Sequence, residues 1–205
     1  MSNPSVISAS GVLFVDLQDG SSARAPLSDN DPLRAAYACF VSGLTPAATP
    51  TDVVTIQGSA TKIIRIRSLT FTGTATAASN IIINTVRRNS ANTGGTSTTR
   101  FLVPRDQNDD PATAVVSVYT VNPASLGNQI GGASANTDGG RLNIAPAANG
   151  AIDRMALQYS WYNDKAPILR GVNDFLCINL GGAAWPSGGQ LDVNIVLTED
   201  TQTRI

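Results

Sequence analysis

Histidine is absent from this chain of 205 residues, and glutamate and lysine are nearly absent. Glu199 is the only glutamate, and Lys62 and Lys165 are the only lysines. Without histidine the chain cannot build a Ser-His-Asp triad, a Cys-His pair or a His-ligated zinc site, and it lacks the commonest general base near neutral pH. Neither lysine lies in a GxxxxGK(S/T) phosphate-binding motif. We therefore expect a protein that is not an enzyme and that binds no cofactor.

Cysteine is scarce too, with Cys39 in the apolar run YACFV and Cys177 in FLCINL. Free cysteine is among the most buried residue types, so we expect two buried thiols. Two thiolates far apart in sequence do not make a metal site on their own. The sequence leaves a disulfide between them open, because that bond requires Cα atoms within about 7 Å.

Charge and long apolar runs are also sparse. Charged residues make up 14% of the chain and the net charge is -1, against about 25% charged residues in an average globular protein. Duplex nucleic acid is bound by clustered lysine and arginine, so no nucleic-acid partner is expected. No apolar run approaches the roughly 18 residues that span a bilayer, and the N-terminus MSNPSVISASG lacks the pattern of a secretory signal. We expect synthesis in a cytoplasm and no membrane partner.

What the chain does contain is a series of β-branched runs separated by turn residues, most clearly in residues 59–123. Helical periodicity is absent there, and five Gly-Gly pairs fall between runs, where turns need positive φ. These patterns predict an all-β fold, an antiparallel β-sandwich of eight to ten strands over residues 37–205. Among sandwiches, we favour a jelly roll.

Residues 1–36 differ from the rest, with one apolar run, VLFVDL at residues 12–17, among polar turns. We interpret this segment as an arm or peripheral strand that docks on a neighbouring molecule, with Val12 and Phe14 as contact residues. Asp31 and Pro32 have the pattern of a helix start, which would make LRAAYA a helical turn.

The alternation of apolar and polar residues changes register within residues 62–73. Ile64 and Ile66 share one face of the strand, whereas Leu69 and Phe71 share the opposite face. One strand buries both pairs only if a residue is inserted between them, which predicts a β-bulge or sheet crossing near Arg67 and Ser68.

Further strands are predicted at residues 37–43, 53–57, 80–88, 100–103 and 113–121, with the segment SANTGGTST as a turn and residues 124–140 as irregular structure. The strand at 80–88 is expected to be solvated at its end, where Arg87 and Arg88 lie. In the second half, clean alternation predicts three core-facing rows. These rows are Met155, Leu157, Tyr159 and Trp161, then Leu176, Ile178 and Leu180, then Leu191, Val193, Ile195 and Leu197.

An acidic cluster gives the one metal candidate. Asp106, Asn108 and Asp110 have the DxNxD spacing that opens a calcium loop. Pro111 stands where that loop needs glycine, and Ser117 stands where it needs glutamate. Because Asp and Asn also stabilise turns by bonding to their own backbone, we favour a solvated loop.

Two further sets of residues are candidates for contacts. Arg65, Arg67, Arg87 and Arg88 form a basic patch if their strands are neighbours, or else they are exposed residues or partners in intersubunit ion pairs. Trp185, in the turn GGAAWPSGG, is the aromatic residue that we expect to be exposed, either as a sugar-stacking platform or as an anchor for a subunit contact.

Three stretches carry a resemblance to a known family: GLTPAATPTDVVTIQGSATKIIRI, then RRNSANTGGTST with PRDQNDDPATAVVSVYTVNPASLG, and APILRGVNDFLCINLGGAAWPSGGQLDVNIVLTED. Over residues 43–200 the chain resembles tailed-bacteriophage and prophage structural proteins, similar in pattern to jelly-roll capsid decoration (cement) and tail-associated proteins. Members often have an aromatic residue before the closing Thr-Glu pair, where this chain has Leu197.

The resemblance implies a virion protein on the capsid exterior or the tail, forming a trimer or another small homo-oligomer. Its partners would be copies of itself and the major capsid protein or other virion proteins. A tail, collar or fibre component is the first alternative, and a carbohydrate-binding receptor module that uses Trp185 is the second.

Overall fold

The computed structural model describes residues 35–46, 51–133, 135–144, 146, 153–159, 166–181 and 185–201. The chain divides into two units, Met1–Pro32 and Leu33–Ile205. The first unit, with the proposed arm and its residues Val12 and Phe14, lies outside the described residues, as does Trp161.

Twelve strands and no helix make up the regular structure of these ranges. No segment of them is therefore a helix long and apolar enough to cross a membrane. In chain order the strands are β1 (Ala35–Leu44), β2 (Asp52–Gln57), β3 (Lys62–Thr74), β4 (Ser79–Arg88), β5 (Thr96–Arg100), β6 (Val103–Pro104), β7 (Val115–Val121), β8 (Asp138–Ile144), β9 (Arg154–Gln158), β10 (Ile168–Arg170), β11 (Phe175–Leu180) and β12 (Gln190–Thr201).

The strands form two antiparallel sheets of six strands that pack against each other. Sheet A has the order β10-β3-β12-β1-β6, with β9 also paired to β3, and sheet B has the order β5-β7-β2-β11-β4-β8. The predicted all-β sandwich is confirmed, and the jelly-roll connectivity stays a prediction.

The core lies between the sheets and follows the alternation of the sequence. Leu191, Val193, Ile195 and Leu197 of β12 are all fully buried, as are Leu176, Ile178 and Leu180 of β11. Each such side chain contributes about 1.5–3 kcal/mol by leaving water. Cys39 and Cys177 are buried free thiols, as predicted.

The predicted bulge in β3 is confirmed. β12 pairs Val196 with Ser68 but Leu197 with Ile66, so Arg67 is the extra residue. Because this insertion resets the alternation, one strand buries Ile64 and Ile66 before the bulge and Leu69 and Phe71 after it.

A second bulge interrupts β1 near its end. Val41 pairs with Val193 and Leu44 with Leu191, so Ser42 and Gly43 together oppose a single residue of β12. Gly43 has φ 66°, a conformation that favours glycine, and its N–H donates to Asp192 Oδ1 at 2.7 Å.

Two local predictions are wrong. Ala35 to Ala38 lie in β1 rather than in a helical turn, because burying Tyr37 and Cys39 favours the extended conformation. The segment SANTGGTST was predicted as a turn and residues 100–103 as a strand. Instead the strand begins within that segment, because β5 occupies Thr96–Arg100 and only Val103–Pro104 is strand after it. All five residues of β5 are exposed, so this strand has no hydrophobic alternation by which to predict it.

Gly139 and Gly140 lie inside β8 and do not form the predicted turn. A Cβ at Gly140 would lie 2.8 Å from Met155 Cε, and one at Gly139 would lie 2.4 Å from Asn84 Oδ1. Glycine is needed here because neighbouring side chains already fill the space. Counting β8 and the short β6 and β10, the twelve strands exceed the predicted eight to ten.

Candidate interaction surfaces and a buried polar network

Three large apolar side chains are exposed together at the β1 side of sheet A. Phe40 is 66% exposed, Phe101 88% and Val103 62%, and we call these three residues the β1 edge patch. Tyr37, Cys39 and Val41 point into the core, so Phe40 projects from the opposite face. β6 pairs Ala38 with Val103, which places Val103 on the same face of the sheet as Phe40, and Phe101 lies two residues before Val103, outside any strand.

The surface beside Phe40 is mainly polar, and it includes the charged Asp192, two residues from Asn194 on β12. Phe40 pairs with Asn194 of β12, which in turn pairs with Thr70 of β3. Exposed apolar side chains bordered by polar ones are typical of contact sites between proteins. The outer face of sheet A therefore offers a candidate docking surface.

The outer face of sheet B carries the opposite arrangement, a buried carboxylate with its partners. Asp52 at the start of β2 is fully buried. It accepts hydrogen bonds from Arg88 Nε at 2.7 Å and Nη2 at 3.0 Å, from Asn92 Nδ2 at 2.9 Å and from Asn179 Nδ2 at 2.7 Å. The paired arginine geometry is the strong, directional form of an ion pair.

This network also fixes two loops over the sheet. Arg88 Nη1 donates to the carbonyl of Gly127 at 2.8 Å, and the N–H of Gly127 donates to Asn92 Oδ1 at 2.8 Å. Thr93 N–H bonds to the carbonyl of Ser125 at 2.9 Å. The segment after β4 and the segment after β7 are therefore joined to each other and to the strands below them.

The protonation states within the network follow from its geometry. Burial alone would raise the pKa of Asp52, but hydrogen bonds from Arg88, Asn179 and Asn92 lower it below its ordinary value. Burial and the neighbouring Asp52 hold the pKa of the Cys177 thiol well above its usual range, despite Arg88. Because a thiol must ionise to act as a nucleophile, Cys177 is chemically inert here and packs against Val86 and Phe175.

The four arginines do not form one patch. Arg65 and Arg67 lie on β3 of sheet A, whereas Arg87 and Arg88 lie on β4 of sheet B. Arg65 Nε bonds to Asp200 Oδ2 at 2.9 Å, and Arg87 pairs with Asp174. The predicted solvated position of Arg88 is wrong: it is 3% exposed, because Asp52 neutralises its charge and the two loops cover it.

Trp185 is buried, so the prediction that it is exposed is wrong. It is 5% exposed and packs against two glycines. A Cβ at Gly73 would lie 3.2 Å from Trp185 Cη2, and one at Gly189 would lie 2.7 Å from Trp185 Nε1. The flanking glycines thus provide space for the indole in the core rather than a flexible exposed turn. Trp185 can neither stack on a sugar nor anchor another subunit.

The calcium candidate is occupied by local hydrogen bonds. Asp106 Oδ1 accepts from the backbone N–H of Asn108 at 2.9 Å and from its side chain at 3.0 Å. The backbone carbonyl of Asp110 accepts from the Tyr37 hydroxyl at 2.7 Å. These contacts explain the DxNxD spacing as a turn. Across the ranges that the structure covers, no three acidic, cysteine or histidine side chains are grouped as a metal site would require.

A residue that sequence reasoning did not assign is Glu199. It is buried at 3% exposure and accepts hydrogen bonds from the N–H groups of Thr113 and Ala114 and from the Thr113 hydroxyl, at 2.8–3.0 Å. These contacts tie β12 of sheet A to the residues that lead into β7 of sheet B. The only signal in the sequence is that this is the sole glutamate of the chain.

A cleft of about 730 Å³ lies near β9 and β10 and is lined by Arg87, Tyr159 and Arg170 among others. Tyr159 donates to Asp138 Oδ2 at 3.0 Å, and burial together with this carboxylate raises the Tyr159 pKa. Arg87 is engaged by Asp174. These groups are therefore already used in internal contacts.

Comparison with known protein families, with curated proteins and with solved structures gives no match.

Proposed function

We propose that this protein is a non-enzymatic structural component of a bacteriophage virion, a decoration (cement) protein that stabilises the capsid through contacts between subunits. The observation that carries this proposal is the β1 edge patch, where Phe40 of β1 is 66% exposed and Phe101, just before β6, is 88% exposed. Exposing aromatic side chains to water is unfavourable, and an interface recovers that free energy.

The burial of the reactive and charged groups supports a structural role rather than a chemical one. The thiol of Cys177, the Asp52–Arg88 ion pair and the carboxylate of Glu199 are all buried in structural contacts. Low surface charge favours broad subunit contacts, because few charged groups must be desolvated when two surfaces meet. The resemblance of residues 43–200 to phage structural proteins supports the virion as the setting and the jelly roll as the connectivity.

Counting copies in particles tests the proposal. Quantitative mass spectrometry of purified phage particles that encode this sequence should find the protein in hundreds of copies. A dozen or fewer copies would instead support the tail, collar or fibre alternative. Absence from the particles would refute both.

The carbohydrate-binding alternative loses its main support, because Trp185 is buried. A glycan array with the full chain should therefore show no specific binding. Binding that survives Trp185→Phe would point to a sugar site elsewhere on the chain.

A further inference from the structure

We propose that the β1 edge patch is the docking site for residues 12–17 of a second copy of this chain. This inference rests on the proposed structural function and names the partner and the surface. It follows from the geometry of the β1 edge, the composition of residues 12–17 and the length of the chain between them.

The edge of β1 next to the patch is open. β6 pairs only with Tyr37 and Ala38, and Arg105 N–H donates to the carbonyl of Ala36 at 2.8 Å. In an antiparallel ladder the backbone groups of alternate residues point to the same side, so Phe40 directs its N–H and C=O towards the β6 side. No strand of the described ranges pairs with β1 there beyond Ala38. Phe40 thus offers both an aromatic ring and backbone hydrogen-bonding groups.

Residues 12–17, VLFVDL, match this surface in chemistry. The segment has five apolar residues and one charge, in an N-terminal region that is otherwise polar. In an extended conformation Leu13, Val15 and Leu17 lie on one face, and Val12, Phe14 and Asp16 lie on the other. A segment with five apolar residues out of six gains free energy when it is covered, and Phe40, Phe101 and Val103 provide apolar area to cover it.

The linker is long enough for the segment to reach a second copy. Residues 18–34 separate the segment from Ala35, where β1 begins. At about 3.3 Å per residue these 17 residues reach about 56 Å, more than the roughly 43 Å length of the 13-residue β3. A local hairpin would need only two to five linking residues.

Cysteine cross-linking between two populations tests the pairing directly. Tagged chains with Phe14→Cys are mixed with untagged chains with Phe101→Cys and oxidised, while the buried Cys39 and Cys177 remain protected. We expect a mixed dimer on a non-reducing gel. The matched control replaces the second chain with Val172→Cys, which is 47% exposed in the turn after β10, and should give no mixed dimer.

Sedimentation equilibrium of the full chain provides a second measurement. The Phe40→Ser/Phe101→Ser double variant and the Val12→Ser/Phe14→Ser double variant should each raise the dissociation constant about tenfold or more. The four changes combined should weaken association no further than either pair, because both pairs remove one contact. Val172→Ser should leave association unchanged.

Several results would overturn the inference: a full chain that stays monomeric, no mixed dimer between the Phe14→Cys and Phe101→Cys chains, or additive effects of the two double variants. The copy count in particles is independent of these results. Protein found in particles without the mixed dimer refutes only the docking site. A mixed dimer formed by a protein missing from particles refutes only the virion role.

Discussion

The outer faces of the two sheets differ: one exposes an apolar side chain, and the other buries a charged pair. On sheet A, Phe40 is exposed to solvent at the β1 edge, beside the polar uncharged Asn194. On sheet B, the Asp52–Arg88 ion pair is buried beneath two loops. The hydropathy of a residue therefore does not decide its exposure here. What decides it is whether a third layer of chain covers that face of the sheet.

The largest expected effect comes from removing the buried carboxylate. Asp52→Ala leaves Arg88 charged, buried and without its partner, and should lower the free energy of unfolding by about 3–5 kcal/mol. Urea denaturation measures the change. The control Asp110→Ala alters an exposed loop and should stay within about 0.5 kcal/mol. Equal effects of the two variants would show that the buried pair does not matter to stability.

Acid should weaken the same interaction without a mutation. The folded-state pKa of Asp52 is below its ordinary value of 3.8, so its stabilising contribution is complete above that value. The contribution is lost as the pH falls through the lowered pKa, because protonation removes the charge that pairs with Arg88. Urea midpoints measured between pH 6 and pH 2 should therefore fall less in Asp52→Ala than in the unmodified chain. Parallel pH profiles would contradict this prediction.

Replacing both members of the Asp52–Arg88 ion pair should lower the free energy of unfolding less than removing one member does. Asp52→Leu combined with Arg88→Met leaves no unpaired charge. Its loss in free energy of unfolding should therefore be less than half of that for Asp52→Ala. Some loss remains, because the double variant also removes the bonds to Gly127 and Asn179. A double variant less stable than Asp52→Ala would show that loop fixation, rather than charge pairing, dominates.

The smallest effect is expected at the β1 edge patch. Phe40→Ser with Phe101→Ser removes side chains that are 66% and 88% exposed, so the unfolding free energy of the monomer should change by about 0.5 kcal/mol or less. Urea denaturation at low protein concentration measures this. A large destabilisation would mean that the patch belongs to the core of the sandwich and is not a docking surface.

Local alternation was enough to predict the sandwich and even the bulge near Arg67. Along β3, β11 and β12 the core-facing residues are apolar at every second position, so the sequence itself shows which face is buried. The environment of Arg88 was not predictable in this way. Its partner Asp52 lies 36 residues earlier, on β2, and the two meet only because β2 and β4 both flank β11. Sequence alone does not give that strand order.

Phe40 and Trp185 also show that local sequence does not predict whether a single side chain is exposed or buried. In YACFV both strand faces are apolar, and only the absence of a covering layer in the described fold leaves Phe40 in solvent. The glycines near Trp185 resemble turn residues, yet Gly73 and Gly189 make space for its ring. Spatial neighbours, rather than local composition, determine both outcomes.

The bulge at Ser42 and Gly43 makes the end of β1 irregular. A regular edge accepts one added strand after another and leads to ribbons or fibrils. Here the insertion twists the last residues of β1, and Gly43 turns its N–H inward to Asp192. In the docking that we propose, a strand added at this edge would meet an irregular strand end, which favours a small closed assembly over open-ended addition.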